Sequence, residues 1–147
     1  MAHRDAKNIL SEDLALPSSA TTEYSTFEPH WEAGVDPFGN PIASPNVPHG
    51  SPVYFNFTMN TAASTGSSPT LTLNLVGDTT AASTTVRQVI CSGVAAATLV
   101  AGYKISVALQ DFPSWPVYTR LQVIAGTAGF STGTYTAFLS PFPLSDY

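Results

Sequence analysis

Apolar and polar residues alternate with a period of two over much of this 147-residue chain, and the alternation constrains its fold more than any other feature. In residues 53–59 every odd position is apolar, whereas Asn56 and Thr58 fall on the opposite face of an extended chain. Three leucines alternate with threonine and asparagine in residues 70–76. Because successive side chains of a strand point to opposite faces, both segments are predicted to be half-buried strands.

Four further segments are predicted to be strands: residues 85–91, 104–109, 117–124 and 133–139. In the last two, the residues expected to face the core are Val117, Leu121, Val123, Tyr135, Ala137 and Leu139. Turn-forming residues separate the six strands, at 65–69, Gly77-Asp78, Ala101-Gly102, 112–116 and 126–133. Six strands at this spacing predict an all-β antiparallel sandwich or barrel.

Segments outside these six add little to the secondary structure. Residues 9–10 and 21–27 are short and β-branched or aromatic, and they offer one or two more strands. Residues 95–101 contain helix-forming alanines but are bounded by Gly93 and Gly102. A segment of that length does not form a stable helix by itself, so we expect a loop or a single turn there.

Charge is concentrated at the N-terminal end. Seven of the ten acidic residues lie in the first 36 positions, offset only by Arg4 and Lys7, and the whole chain has a net charge of −5. This predicts an acidic N-terminal arm with a Pro-rich loop, residues 1–50, packed on the body or on neighbours. A nearly uncharged β-sandwich body, residues 51–147, follows it. The length suits one domain overall.

The Pro-rich loop has a composition unlike that of a solvated linker. Six prolines and three glycines occur between residues 28 and 52, which favours stiff, extended backbone. The same stretch carries Trp31, Phe38 and Ile42, whose apolar side chains a linker does not need. We therefore expect this loop to dock against its own body or a neighbouring subunit.

Several classes of partner are disfavoured. An acidic chain is repelled by nucleic-acid phosphates, and its five basic residues form no run. No apolar stretch is long enough to span a bilayer, and the N-terminal residues lack the apolar segment of an export signal. We expect neither a nucleic-acid partner nor a membrane partner.

Nucleophilic and carboxylate catalysis find little support in the residues. Cys91 lies in a predicted strand with no histidine in the body to act as its base, so it is interpreted as a small buried or half-buried hydrophobe. The chain has no Gly-x-Ser-x-Gly motif. Asp78 and Asp111 of the body are explained by turns. We expect no enzyme.

Metal and cofactor sites are not expected either. His30, Glu32 and His49 could ligate a metal, but structural zinc sites normally show closely paired Cys or His ligands. No glycine-rich loop is followed by the lysine and helix of a phosphate site.

Aromatic residues of the loops and tails are the remaining signal: Trp31, Phe38, Phe112, Trp115, Phe130, Phe142 and Tyr147. One interpretation is that such residues plug the ends of the sandwich. The other is that some anchor an interface, where Trp and Tyr concentrate binding energy. The hypothesis for a capsid or subunit interface comprises Trp31, Phe38, Ile42, Phe112 and Trp115.

Five segments together resemble the capsid cement, or decoration, proteins of short-tailed bacteriophages: residues 51–55, 70–75, 99–104, 118–124 and 130–139. The last two match a strand with an Arg-Leu pair, a Gly/Thr-rich turn and a final Gly-Thr-x-Thr-Ala strand. Residues 7–13 also resemble the short N-terminal segment of that family. The resemblance covers about residues 7 to 139, and the insert at 29–50 departs from it.

That resemblance implies a jelly-roll-like β-sandwich with an extended N-terminal arm and a Pro-rich insert loop. The family binds the outside of an icosahedral phage head and cements neighbouring major capsid protein subunits, which stabilises the head. The implied partners are the major capsid protein and further copies of the chain, as a homodimer or homotrimer. The implied location is the outer capsid surface of the virion, after synthesis in the bacterial host cytoplasm.

Two other functions remain open. A phage head-fibre or tail adhesin module would share the fold and the low charge. A carbohydrate-binding β-sandwich would use Trp115, Trp31 or Tyr118 as a stacking platform for sugar rings.

Overall fold

Eight β-strands form the described part of the protein, which in the computed structural model comprises residues 9–25, 54–78, 84–109 and 118–140. In chain order, β1 to β8 are Ile9–Ala15, Thr22–Tyr24, Tyr54–Thr61, Thr70–Asp78, Val86–Ala95, Lys104–Ala108, Tyr118–Gly126 and Thr134–Ser140. A single 3₁₀ turn, Ala96–Thr98, lies between β5 and β6. The six strands predicted from alternation are confirmed, and residues 95–101 contain only the expected turn.

The strands form two four-stranded antiparallel sheets that pack on each other, as in a β-sandwich. The first sheet has the order β1-β8-β3-β6, and the second has the order β2-β7-β4-β5. The all-β antiparallel prediction is therefore confirmed, with separate sheets rather than one closed barrel. β1 and β2 are the edge strands on one side of the molecule, and β6 and β5 are the edge strands on the other.

Residues 9–25 are part of both sheets. β1 pairs with β8, and β2 pairs with β7. The connection between them is held by backbone hydrogen bonds from the amide of Leu16 to the carbonyl of Gly133 and from the amide of Phe130 to the carbonyl of Pro17. The two short N-terminal segments that the sequence indicated as extra strands are strands, one at the edge of each sheet.

The core lies between the sheets and uses the faces that alternation predicted. Phe55, Phe57 and Met59 project from the first sheet, and the three leucines of β4 project from the second. Leu121, Val123, Tyr135, Ala137 and Leu139 are also buried there. The rings of Phe57 and Tyr135 stack with centroids 5.4 Å apart. Val117 lies outside the described residues.

Two expectations about polar residues are wrong. Gly77 and Asp78 were expected in a turn, but they end β4 and pair with Thr119 and Tyr118 of β7, since the sheet neighbour continues that far. The polar face of β3 was expected to be open, yet Asn56 is fully buried. Its side-chain oxygen accepts a hydrogen bond from the Ser106 hydroxyl at 2.6 Å, which offsets the cost of burying the amide.

Candidate interaction surface

The interface residues predicted from the sequence fall outside the part of the chain that the structure describes. These residues are Trp31, Phe38, Ile42, Phe112 and Trp115. The metal-ligating candidates His30, Glu32 and His49, together with Asp111, are outside it as well. Phe130 is the one loop aromatic of the sequence hypothesis with a described position, and it is buried in the core, as an end plug of the sandwich would be.

Two kinds of candidate group, metal ligands and the thiol of Cys91, can be located within the described ranges. No group of three or more His, Cys, Asp or Glu side chains in those ranges could hold a metal ion. Cys91 is half-buried against the core, as predicted, and burial raises the pKa of its thiol above the ordinary value of 9.0. A raised thiol pKa lowers the fraction of nucleophilic thiolate at neutral pH.

The most exposed apolar strand of the described residues is β5. Its ten residues include no buried side chain, and Val86 and Val89 are 46% and 58% exposed. The third exposed large apolar residue, Val100, is 55% exposed but lies in the turn before β6. β5 therefore combines exposed aliphatic side chains with the backbone of an edge strand.

β5 is irregular along its whole length. Its register with β4 shifts at three places, and at each of them β5 carries one residue more than β4. Gly93, with a φ of +65°, lies within one of these bulges, and its amide donates to the Thr72 hydroxyl at 3.0 Å. Extra residues of this kind bend and twist an edge strand. They also break the alternation, which explains why the sequence predicted the strand to end at Cys91.

Edge strands β5 and β6 meet along one side of the molecule. The side-chain amide of Gln88 on β5 donates to the backbone carbonyl of Ala108 on β6 at 3.1 Å. Ile105 and Val107 of β6 are half-buried beside this margin. We call the margin formed by β5 and β6 the basic edge, because these strands carry Arg87 and Lys104. The Nε of Arg87 donates to the backbone carbonyl of Gly77 on the neighbouring strand β4 at 3.0 Å.

The opposite margin carries the other sign of charge. Its strands β1 and β2 hold Glu12, Asp13 and Glu23, all three exposed. We call this margin the acidic edge. Asp13 has a φ of +47°, in a stretch of β1 whose register with β8 is shifted, and its carboxylate accepts a hydrogen bond from the Asn60 amide at 3.1 Å.

A row of side chains crosses the outer face of the second sheet. It runs through Val89, Asn74, Gln122 and Tyr24, which are successive register partners in β5, β4, β7 and β2. The Asn74 amide donates to Gln122 at 2.9 Å, and the Gln122 amide donates to the Tyr24 hydroxyl at 3.2 Å. Asn74 and Gln122 are both buried, and these hydrogen bonds join three of the four strands, β4, β7 and β2.

The Tyr24 end of this row carries a positive charge. The guanidinium carbon of Arg120 lies 3.8 Å from the centroid of the Tyr24 ring, in cation–π geometry. Arg120 of β7 thus places its positive charge on the edge strand β2, beside the acidic residues of that margin.

Sequence reasoning missed the features that make up this surface. Period-two alternation assigned β5 correctly as a strand, but nothing local showed that it lies at an edge. The charges of β1, β2, β5 and β6 look scattered along the chain, and they separate into two edges only through the strand order. The one available signal was the placement of Val86 and Val89 on both sides of Arg87 and Gln88 without strict alternation.

Comparison with known proteins assigns the chain to no family. No protein-family model matches the chain, and no curated protein matches its sequence significantly. Within the described ranges, no helix has the length and apolar character that a membrane crossing requires.

Proposed function

We propose that this protein is a structural virion protein that binds the outer surface of an icosahedral phage capsid and cements neighbouring major capsid protein subunits. Its place would be the outside of the virion, and it would act through protein–protein contacts without catalysis or cofactor. The observation that carries the proposal is the β5 strand, an exposed aliphatic edge that offers a partner chain both side chains and backbone.

The strand pairing supports a jelly-roll fold, the architecture that the sequence resemblance implies. The antiparallel pairs β1·β8, β2·β7, β3·β6 and β4·β5 match the first strand with the last and continue inward to the middle of the chain. A long double ribbon with that pairing, rolled up once, gives the two observed sheets. Eight-stranded rolls of this type occur among viral capsid and lectin domains.

The surface of the described residues supports a contact protein. Two of the three exposed large apolar side chains lie on β5, where a partner could bury both at once. The basic edge and the acidic edge provide orientation and capture rate more than affinity. Individually weak contacts would give tight overall binding to a capsid, because they are repeated over its lattice.

Co-sedimentation with undecorated phage heads tests the proposal. We expect saturable binding of the wild-type protein and heads that withstand heating better once they are decorated. Val89→Asp should lower the occupancy, because a carboxylate in a buried contact is costly. Val100→Asp is the matched control, since it changes an equally exposed valine outside the strand.

The wild-type protein distinguishes the proposed function from its rivals, and the two variants test the role of β5. A folded wild-type protein that ignores heads at every concentration would contradict it. Signals on a glycan array would then favour a carbohydrate-binding sandwich, and a location at the tail or on head fibres would favour an adhesin module. Equal losses for Val89→Asp and Val100→Asp would remove β5 from the capsid contact.

A further inference from the structure

We infer that the outer face of the first sheet, around Phe138, is the docking site for residues 26–53 of the same chain. The outer face is the side of that sheet that points away from the second sheet. The inference goes beyond the proposed function and does not depend on head binding. It decides between the two positions that the sequence left open for the Pro-rich loop, its own body or a neighbouring subunit.

Phe138 is buried without being part of the core between the sheets. It is 1% exposed, although its neighbours in β8, Ala137 and Leu139, are the residues that face the core. Its register partner in β3, Asn56, is fully buried, and so is Ser140 on the same face. An antiparallel sheet that carries nothing on its outer face leaves such residues in contact with water. Something therefore lies over this part of the first sheet.

The described turns are too far away to be the cover. They lie at one end of the sandwich, where the odd-numbered strands end and the even-numbered strands begin: residues 16–21, 62–69, 96–103 and 127–133. Thr134 of β8 is at that end, and Phe138 is about 13 Å further along the strand. Near the turns the same face is more open, since Thr61 is exposed and Thr134 is half-buried.

Length and position select residues 26–53 as the occupant. This segment leaves the second sheet after Ser25 and enters the first sheet at Tyr54, which pairs with Ser140 beside the docking site. Fully extended, it could span about 90 Å, whereas the two sheets that it joins are only about 10 Å apart. The segment is therefore long enough to fold back over the outer face.

The composition of the segment fits an apolar docking site. Its large apolar side chains include Phe27, Trp31, Val35, Phe38 and Ile42. Its six prolines stiffen the backbone, which lowers the conformational entropy lost on docking.

Two other parts of the chain outside the described ranges fit less well. Residues 1–8 have no large apolar side chain except Met1. Residues 110–117 connect β6 of the first sheet to β7 of the second, so they use their short length to cross between the sheets.

The fluorescence of Trp31 tests the inference in the full chain without heads. The protein has two tryptophans, and Trp115→Phe leaves Trp31 as the reporter. We expect Trp31 to emit at short wavelength and to resist quenching by iodide. Phe138→Ala in that background should weaken docking at least about tenfold, because burial of a phenyl ring contributes that much, and should expose Trp31.

Two further variants keep this test specific. Ile124→Ala is the matched control, since Ile124 is a half-buried apolar residue on the outer face of the second sheet, and it should leave Trp31 protected. Phe38→Ser changes the segment and no described residue, so it should expose Trp31 even if Phe138→Ala fails to fold.

Three results would overturn the inference. Free quenching of Trp31 in the Trp115→Phe protein would show that residues 26–53 are not docked. Protection of Trp31 that is lost on dilution would assign the cover to a second copy. Equal protection in Phe138→Ala and Ile124→Ala would place the segment elsewhere on the molecule. None of these results bears on head binding, so failure of this inference is distinguishable from failure of the proposed function.

Discussion

Strands β8 and β5 belong to opposite sheets of the sandwich and differ in what surrounds their side chains. Six of the seven residues of β8 are buried, including Phe138 and Ser140 on the side facing away from the core, whereas none of the ten residues of β5 is buried. β8 lies inside its sheet between β1 and β3, and β5 lies at an edge. Position in the sheet therefore separates a strand that holds the fold together from one that offers a surface.

The inner strand β8 and the edge strand β5 also differ in the regularity of their pairing. β8 pairs with β3 over seven positions with one irregularity near its start, whereas β5 is bulged at three places against β4. An inner strand must satisfy two neighbours at once, so an extra residue disturbs two ladders. An edge strand has one neighbour and tolerates extra residues, which in turn reduce uncontrolled pairing of the edge.

Truncation of a core side chain that packs against β8 should have the largest effect on stability. Phe57 of β3 is fully buried and stacks on Tyr135 of β8, so Phe57→Ala should destabilise the protein by about 3–5 kcal/mol. Val89→Ala on β5 should change the free energy of unfolding by less than about 0.5 kcal/mol. Urea unfolding measures both, and similar losses would erase the distinction between the two strands.

Two glycines with positive φ sharpen the comparison. A Cβ at Gly133, just before β8, would lie 3.0 Å from the Cα of Ala63 and from a methyl of Leu16, whereas a Cβ at Gly93 in β5 would meet nothing within 4 Å. Both alanine variants carry backbone strain of about 1–2 kcal/mol. Gly133→Ala should lose about 1–3 kcal/mol more through overpacking. Equal thermal shifts would show that packing around Gly133 adapts freely.

The hydrogen-bonded amides of Asn74 and Gln122, on the outer face of the second sheet, link its inner strands β4 and β7. Gln122→Leu removes the partner of the buried Asn74 amide and should cost about 1–2 kcal/mol. Asn74→Leu combined with Gln122→Leu should cost less than the sum of the single variants, since neither amide is then left unpaired. Chemical unfolding of the three variants provides the cycle, and strict additivity would indicate that the hydrogen bond contributes nothing.

Alkaline pH should have the smallest effect on the free energy of unfolding. The groups concerned are the phenol of Tyr135 in β8 and the thiol of Cys91 in β5. Burial raises the pKa of Tyr135 in β8 above its ordinary value of 10.0, and burial also raises the pKa of the Cys91 thiol in β5. A group with a higher pKa in the folded state keeps its proton longer than in the unfolded chain. Its contribution to stability is therefore complete below the unfolded pKa and falls as pH rises through the folded one.

Two conservative variants separate these contributions. Tyr135→Phe keeps the ring that stacks on Phe57 and should remove the loss of stability above about pH 10 that is due to the phenol. Cys91→Ala should remove the part that begins near the unfolded thiol pKa. The midpoints of unfolding, measured across the alkaline pH range, separate the two contributions. An unchanged slope of stability against pH in Tyr135→Phe would show that the Tyr135 hydroxyl titrates alike in the folded and unfolded states.

Core positions were predictable from the sequence to the extent that the strands are regular. β3, β4, β7 and β8 bury the alternate residues expected of them. The prediction was incomplete where a neighbour changes the environment: Asn56 and Asn74 look like solvent-facing residues, but both are buried and hydrogen-bonded across strands. The predicted anchors Trp31, Phe38, Ile42, Phe112 and Trp115 remain predictions, because they lie outside the described residues.

The all-β class, the position of most strands and the side chains that enter the core follow from the amino-acid sequence alone, because period-two alternation is a local pattern within each strand. The pairing of the strands and the edge positions of β2 and β5 depend on the tertiary structure, as does the placement of Glu12, Asp13 and Glu23 on the side opposite Arg87 and Lys104. Strand order depends on contacts between distant segments, and it is the packing of the two sheets that selects among the possible orders.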